Sequence, residues 1–213
     1  MAITAINHLA FITPDMEKTI RFYRDLLGFR LEAGVGHGGY RHYFFAFGDN
    51  QVAFFEYEGA AVMERKFHGV KTDKPLGFDH VSFTVPSVAE LFRFKDKLDA
   101  AGIEVTGPID HGPIWSIYFF DNNTIPLEIS ADVMEVLESP AMSDDDPMGI
   151  VAEGADPQPG IWPEVARPTP RSEWKAKPGN GFEMRPTFLR EGKGRIKPEY
   201  EDLIAASDAE REG

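Results

Sequence analysis

Four residues in this chain combine ligand chemistry with a regular spacing. His8 and Glu56 lie 48 residues apart, His80 and Glu128 also lie 48 apart, and 72 residues separate each from its counterpart. Each falls in a stretch that reads as a β-strand with apolar neighbours. A His among Ile and Ala, or Glu56 beside Val52 and Phe54, is costly to bury unless something pairs with it. A metal ion is one such partner. Imidazole and carboxylate ligands together suit Fe(II), Mn(II), Ni(II), Co(II) or Zn(II) rather than Ca(II). The spacing therefore predicts a metal site with His8, Glu56, His80 and Glu128 as candidate ligands.

The elements that must position them come in two copies. The first strand is expected over 3–13, with Ile6, His8, Ala10 and Ile12 on one face. Thr13 and Pro14 read as a helix start, followed by Met16, Ile20, Tyr23, Leu26 and Leu27 at helical spacing, with Gly28 ending the helix. Strands follow over 29–33, 41–47 and 51–57, the last two joined at Gly48-Asp49-Asn50. The second copy has a strand over 78–85 and a helix to about Ala101, opened by the capping box Ser87-Val88-Ala89-Glu90. Strands over 103–106, 115–121 and 124–130 complete it. His-x-x-Phe recurs (His8, Phe11; His80, Phe83), and Pro14/Pro86, Arg21/Arg93, Phe22/Phe94 and Leu26/Leu98 keep the offset of 72. Duplication of a β-α-β-β-β unit explains this economically.

Residues 58–77 read as a linker, and the glycine-rich run 34–39 as a mobile lid. It precedes a strand, not a helix, so it is no phosphate loop. His37, His42 and His68 are expected at the surface or the pocket rim. Tyr40, Tyr43, Phe45, Phe47, Phe54 and Trp115 suggest a pocket for a flat ligand, although most of them are expected in the core. Residues 138–213 differ in kind: ten of the 16 prolines fall in 140–213, beside Asp144-Asp145-Asp146. This acidic, Pro-rich extension reads as irregular, with a short helix near 198–209. Ile161, Trp162, Trp174, Phe182 and Phe188 are candidate anchors by which it would wrap the body, residues 1–137, or a partner subunit.

Composition narrows the chemistry. With 213 residues and 42% hydrophobic content the chain can build a sizeable core. It contains no cysteine, so disulfides, thiolate zinc sites and thiol nucleophiles are excluded. A net charge of −13 argues against nucleic acid or anionic membrane as partner. No 18-residue apolar run and no secretory leader is apparent, so the default expectation is a cytoplasmic protein acting on a small molecule.

Phe22-Tyr23-Arg24-Asp25-Leu26-Leu27-Gly28-Phe29, the duplicated units, and Ser116-Ile117-Tyr118-Phe119-Phe120-Asp121 leading to Leu127-Glu128 resemble the vicinal oxygen chelate superfamily. Its members include glyoxalase I, bleomycin and fosfomycin resistance proteins and extradiol dioxygenases. The resemblance covers about 3–131. It implies an α+β fold of two paired β-α-β-β-β modules, about 3–57 and 78–131, whose curved mixed sheets surround a central metal cleft, in a homodimer. In the extradiol pattern His111, Ile117, Tyr118, Asp121 and Glu128 keep order and spacing, with Asn122 and Thr124 in place of the expected Pro and Gly. That implies Fe(II), chelated by a catechol-like substrate, with His111 and Tyr118 as catalytic hydrogen-bonding groups. Glu56 points to the alternative, since two His and two Glu resemble the glyoxalase I ligand set, in which one carboxylate, Glu56 or Glu128, moves a proton beside a carbonyl. Arg41, Arg65 and Lys66 would then have to serve a glutathione or coenzyme A tail. A metal-free binding or resistance protein is the third expectation.

Overall fold

Period-two alternation and well-placed turns produce two four-stranded sheets. A computed structural model describes residues 6–37, 40–71, 79–141, 143, 149–156, 158–161, 163–179 and 182–212. In the first sheet β1 (Leu9–Thr13), β2 (Arg30–His37), β3 (Tyr40–Phe47) and β4 (Asn50–Glu56) take the order β1-β4-β3-β2. In the second, β5 (Val81–Thr84), β6 (Thr106–Asp110), β7 (Ile114–Phe120) and β8 (Pro126–Asp132) take the order β5-β8-β7-β6. In each sheet the first strand pairs parallel with the last and the remaining pairs are antiparallel. The expected pair of β-α-β-β-β modules is thus present.

Each module lays its helix on one sheet face. Asp15, rather than Thr13, caps α1 (Met16–Ile20), accepting the Lys18 amide at 3.0 Å. The helix widens into a π-helical turn over Arg21–Leu26, which seats Tyr23 with its ring 4.8 Å from Phe54 and 5.8 Å from Phe45. Ser87 caps α2 (Val88–Ala100) as expected, and Leu91 and Leu98 are buried in the same core as Ile117, Phe119, Leu127 and Ile129. That core runs through both modules. Phe83 of β5 meets Phe29 and Phe47 of the first module edge-on.

The modules are also joined by polar groups. Asp121, buried at the end of β7, accepts the Asn123 and Ile125 amides at 2.7 and 2.8 Å on one oxygen, and the Tyr23 hydroxyl at 3.1 Å on the other. Burial pushes its carboxyl pKa above the ordinary value. Thr124 completes this turn at φ 61°, where glycine is usual.

Some expectations change. The stretch Gly34–His37 is no lid but part of β2, paired with β3. Glycine is needed at 34 because a Cβ there would lie 2.7 Å from the Tyr43 ring. Residues 38 and 39, and Phe78, lie outside the described residues. The second strand of the second module is Thr106–Asp110, beyond the expected 103–106.

Residues 144–213 form a second compact unit, distinct from 1–143. It has two α-helices among its described residues, α3 (Met184–Arg190) and α4 (Glu201–Glu212), the latter close to the expected position. Arg171 pairs with Asp202 at 2.9 Å and Arg185 with Asp208 at 2.6 Å. Of the candidate anchors, Ile161 and Trp174 are exposed, Phe182 and Phe188 are half-buried, and Trp162 lies outside the described residues. No helix among the described residues is long and apolar enough to cross a membrane.

Because every Asp121 oxygen contact is an accepted hydrogen bond, Asp121→Asn must turn one oxygen into a donor facing donors. It is expected to cost about 1–3 kcal/mol, read as a lower midpoint in urea unfolding with an unchanged m-value.

Candidate metal centre

Strand alternation assigns every candidate residue to a face. In the second sheet Ser82 pairs with Glu128 and Glu128 with Tyr118, so His80, two residues before Ser82, shares their face. This face lies opposite the one that packs on α2. Glu128 is 3% exposed, and its Oε2 lies 2.8 Å from His80 Nε2. Two ligands at right angles, each about 2.1 Å from one ion, stand ~3 Å apart. The pair already has that spacing.

The surroundings orient both groups. His80 Nδ1 lies 2.6 Å from Asp79 Oδ1. Asp79 is paired with Lys66 and accepts the Gly69 amide at 3.2 Å. Lys66 first, and His80 next, hold its carboxyl far below the usual range. An ionised carboxylate at Nδ1 favours keeping the hydrogen there, so an ion bound between His80 and Glu128 would take over the Nε2 position that here faces Glu128 Oε2. On the other side, the Tyr118 hydroxyl lies 3.1 Å from Glu128 Oε1 and 2.8 Å from His111 Nε2. It has one hydrogen, which it donates to the carboxylate, so His111 Nε2–H must donate to the Tyr118 oxygen. Burial, and then the Glu128 charge, push the Tyr118 pKa up to about 12. At neutral pH it is a phenol.

His68 also belongs here, although the sequence reading left it at the rim. Its ring lies 3.3 Å over Tyr118, tilted 5°, and 6.2 Å from His80. The stretch read as a linker is in fact a strap. Met63 N–H donates to Asn123 O at 3.0 Å, the Thr124 hydroxyl donates to Met63 O, and Arg65 pairs with Glu104 at 2.5 Å with its guanidinium 4.5 Å from the Phe120 ring centre. No periodicity marks such a segment, because its order comes from contacts distant in sequence.

The first module contributes differently. His8 is exposed, with Nδ1 2.7 Å from Asn7 Oδ1 and its ring edge on Phe44. It shares the open face of the first sheet with Ala10, Ile12, Ala53, Phe55, His42 and Phe44. Glu56 pairs with Thr13, which alternation puts on the opposite, helix-covered face and at the far end of β1 from His8. Five residue steps along a strand are roughly 17 Å. There Glu56 accepts the Met16 amide at 2.7 Å and pairs with Arg41. The structure therefore does not bring Glu56 to the other three candidates. The residue in the place of Glu128 is Ala53: it pairs with Ala10 as Glu128 pairs with Ser82. The equal spacings of 48 conceal a three-residue difference between the modules.

Nor, among the described residues, does a hydrogen bond, ion pair or ring contact join His8 to His80 or Glu128. Among the described residues no three His, Asp or Glu side chains converge as a metal cage. Arg41, Arg65 and Lys66, the candidate tail-binding cations, are paired with Glu56, Glu104 and Asp79. Of the aromatic residues expected in the pocket, Phe45 and Phe54 are buried, and Tyr43, Phe47 and Trp115 pack against the core. The Tyr40 side chain lies outside the described residues.

The paired β-α-β-β-β modules define a two-module protein that presents a His and a Glu together on one open sheet face. The model of the Glyoxalase/Bleomycin resistance protein/Dioxygenase superfamily matches residues 5–150, and the chain belongs to that superfamily. No curated protein matches it. Among solved structures, a glyoxylase/bleomycin resistance protein/dioxygenase domain from Frankia sp. EAN1pec is 19% identical, covering 62% of this chain and 99% of that one, with a TM-score of 0.53. The fosfomycin resistance protein FosX from Listeria monocytogenes is 21% identical, covering 62% and 97%, with a TM-score of 0.48. A glyoxalase family protein from Enterococcus faecalis is 22% identical, covering 61% and 99%, also at 0.48. At these identities the likeness speaks for fold alone.

If Asp79 sets the His80 tautomer, Asp79→Asn is expected to weaken Mn(II) binding by about 10- to 100-fold while leaving the circular dichroism spectrum unchanged. Calorimetric titration of the metal checks this.

Proposed function

We propose that the protein is a mononuclear metal enzyme of the extradiol dioxygenase type, acting on a catechol-like small molecule. Its ligands would be His80 and Glu128 of one copy and His8 of a second copy in a homodimer. The observation that carries this reading is the chain of contacts His111–Tyr118–Glu128–His80, with Glu56 held elsewhere. Two His and one carboxylate form the set that leaves open positions for further ligands. Fe(II) is the first choice, with Mn(II), Ni(II), Co(II) or Zn(II) compatible with the same donors.

A bound ion would supply adjacent positions for two vicinal substrate oxygens and one for dioxygen. The chain's own groups then have separate tasks. Asp79 would hold the Nδ1–H of His80, so that Nε2 can face a bound ion. Tyr118 stays protonated and can redirect its hydroxyl from Glu128 Oε1 to a substrate oxygen. His111 backs it with an Nε2–H, and the pair can relay a proton at the Tyr118 oxygen. Glu128 is kept from solvent by the sheet and by the strap that carries His68.

The lyase or isomerase reading needs a second carboxylate free to leave the metal, and Glu56, bound to Met16 N–H and Arg41 on the other face, is poorly placed for it. A metal-free binding protein would have no use for the Asp79 contact behind His80.

Anaerobic loading with Fe(II), followed by oxygen-uptake assays on a catechol panel, tests the reaction. No uptake with any catechol, beside Ni(II)- or Zn(II)-dependent turnover of a hemithioacetal, would reverse the order of the readings. Glu56→Gln is expected to retain metal stoichiometry and activity. Mixing inactive His8→Ala with inactive Glu128→Ala tests the shared site. Random exchange of subunits should restore about a quarter of wild-type activity, because each heterodimer rebuilds one of two sites. A site contained within one chain would restore none.

A further inference from the structure

His42 is the unexplained residue on the open face of the first sheet. It is 8% exposed, its ring lies 3.6 Å over Phe55 at 13° and 4.3 Å from Phe44, and its Nε2 is buried without a hydrogen-bond partner. An unsatisfied buried polar atom costs roughly 1–3 kcal/mol, and none of the described residues supplies His42 Nε2 with a partner. Burial first, and then the neighbouring His8, lower its pKa.

The second sheet carries the counterpart. His42 pairs with Phe55, and Phe55 with Ile12. Ser116 pairs with Ser130, and Ser130 with Thr84, the residue 72 positions after Ile12. His42 and Ser116 thus occupy equivalent rungs of the two modules. Ser116 Oγ is likewise buried without a hydrogen-bond partner, although it lies near enough to Tyr118 to favour the ionised phenol slightly. Only one other such atom occurs among the described residues, Asn122 Oδ1 in the turn after β7.

We propose that His42 Nε2 is a recognition group that hydrogen-bonds an oxygen of the small molecule held at the candidate metal centre, with Ser116 Oγ as a second, weaker one. This rests on the reading above, in which the His8 face of one copy closes over the His80 face of another and brings both unpaired atoms to one cavity. Phe44, Phe55 and Tyr57, with Phe55 and Tyr57 parallel at 5.9 Å, would be the wall for a flat ring. The ligand class is therefore an aromatic ring bearing several oxygens. A few convergent polar groups on an apolar wall are what fixes such a ligand's orientation.

The test uses full-length protein loaded with Mn(II), titrated with 4-nitrocatechol by its visible absorbance. Metal affinity is followed by calorimetry and stability by thermal melting. His42→Phe should keep Mn(II) affinity within about twofold, hold or raise Tm, and weaken nitrocatechol about tenfold, the loss of one hydrogen bond in a dry site. Ser116→Ala should weaken it less. Should His42→Phe not fold, His42→Gln is read in the same way. Unchanged nitrocatechol affinity in the variant makes His42 a core side chain and sinks this inference alone. A parallel loss of Mn(II) affinity also overturns it, assigning His42 to the metal. Wild-type protein that binds no Mn(II), or binds Mn(II) but no nitrocatechol, sinks the metal or catecholate reading and this inference with it.

Discussion

The constraint on which the structure depends is the two-residue period of the β-strand. Successive side chains leave a strand on opposite faces, so a residue's parity decides whether it joins the core or the open surface. In the first sheet odd parity on β1 sends Leu9, Phe11 and Thr13 to the helix, and even parity sends His8, Ala10 and Ile12 outward. Glu56 pairs with Thr13 and goes with the core side. Two residues that look like partners in a list of ligand types are therefore separated by the thickness of a sheet. In the second sheet His80, Ser82, Glu128 and Tyr118 share parity and meet.

Bringing a carboxylate and an imidazole to a buried position creates a demand that the rest of the second module meets. Glu128 is nearly sealed from water, and an isolated ionised carboxylate there would be prohibitive. It is instead flanked by His80 and Tyr118, whose outer atoms are held by Asp79 and His111. Asp79 in turn needs Lys66 and the Gly69 amide, both carried by the strap. The strap holds its place through Met63, Arg65 and Phe67 on the far end of the same sheet. A segment with the composition of a linker is thus part of the electrostatic support of the site.

This explains what could be read in the sequence and what could not. The modules, the helices and the Ser87 cap follow from local rules, and the 72-residue offset marks His8 and His80 as equivalent because both lie at the start of their modules. That offset fails for Glu56 and Glu128, since the first module is shorter between its first and last strands. Only the pairing register exposes this. Parity alone, applied to Thr13 and Glu56, would have separated Glu56 from His8 had the register been known. Gly34 misleads for a different reason: glycines suggest freedom, whereas Gly34 is a strand residue that leaves room for the Tyr43 ring. The expectation that most of the candidate pocket aromatics are core holds for Phe45 and Phe54, while their neighbours Phe44 and Phe55 take the other face by strand alternation.

The open face of the first sheet is poorly suited to water. Ile6 and Ile12 are 56% and 55% exposed, and Tyr57 is 41% exposed, beside a ligand-type histidine and a buried imidazole nitrogen without a partner. The face holding His80 and Glu128 has the complementary lack: a His and a Glu at metal-ligand spacing and, among the described residues, no third such group converging on them. In the proposed dimer, apolar exposure on one face and the two-residue donor set on the other would both be relieved by a single event, the closing of one face over the other between two copies. Assembly, metal uptake and ligand binding would then be linked, since whatever binds the closed form stabilises it by mass action. In that arrangement neither module needs to satisfy all of its own polar groups, and the groups left unsatisfied mark where the missing half belongs.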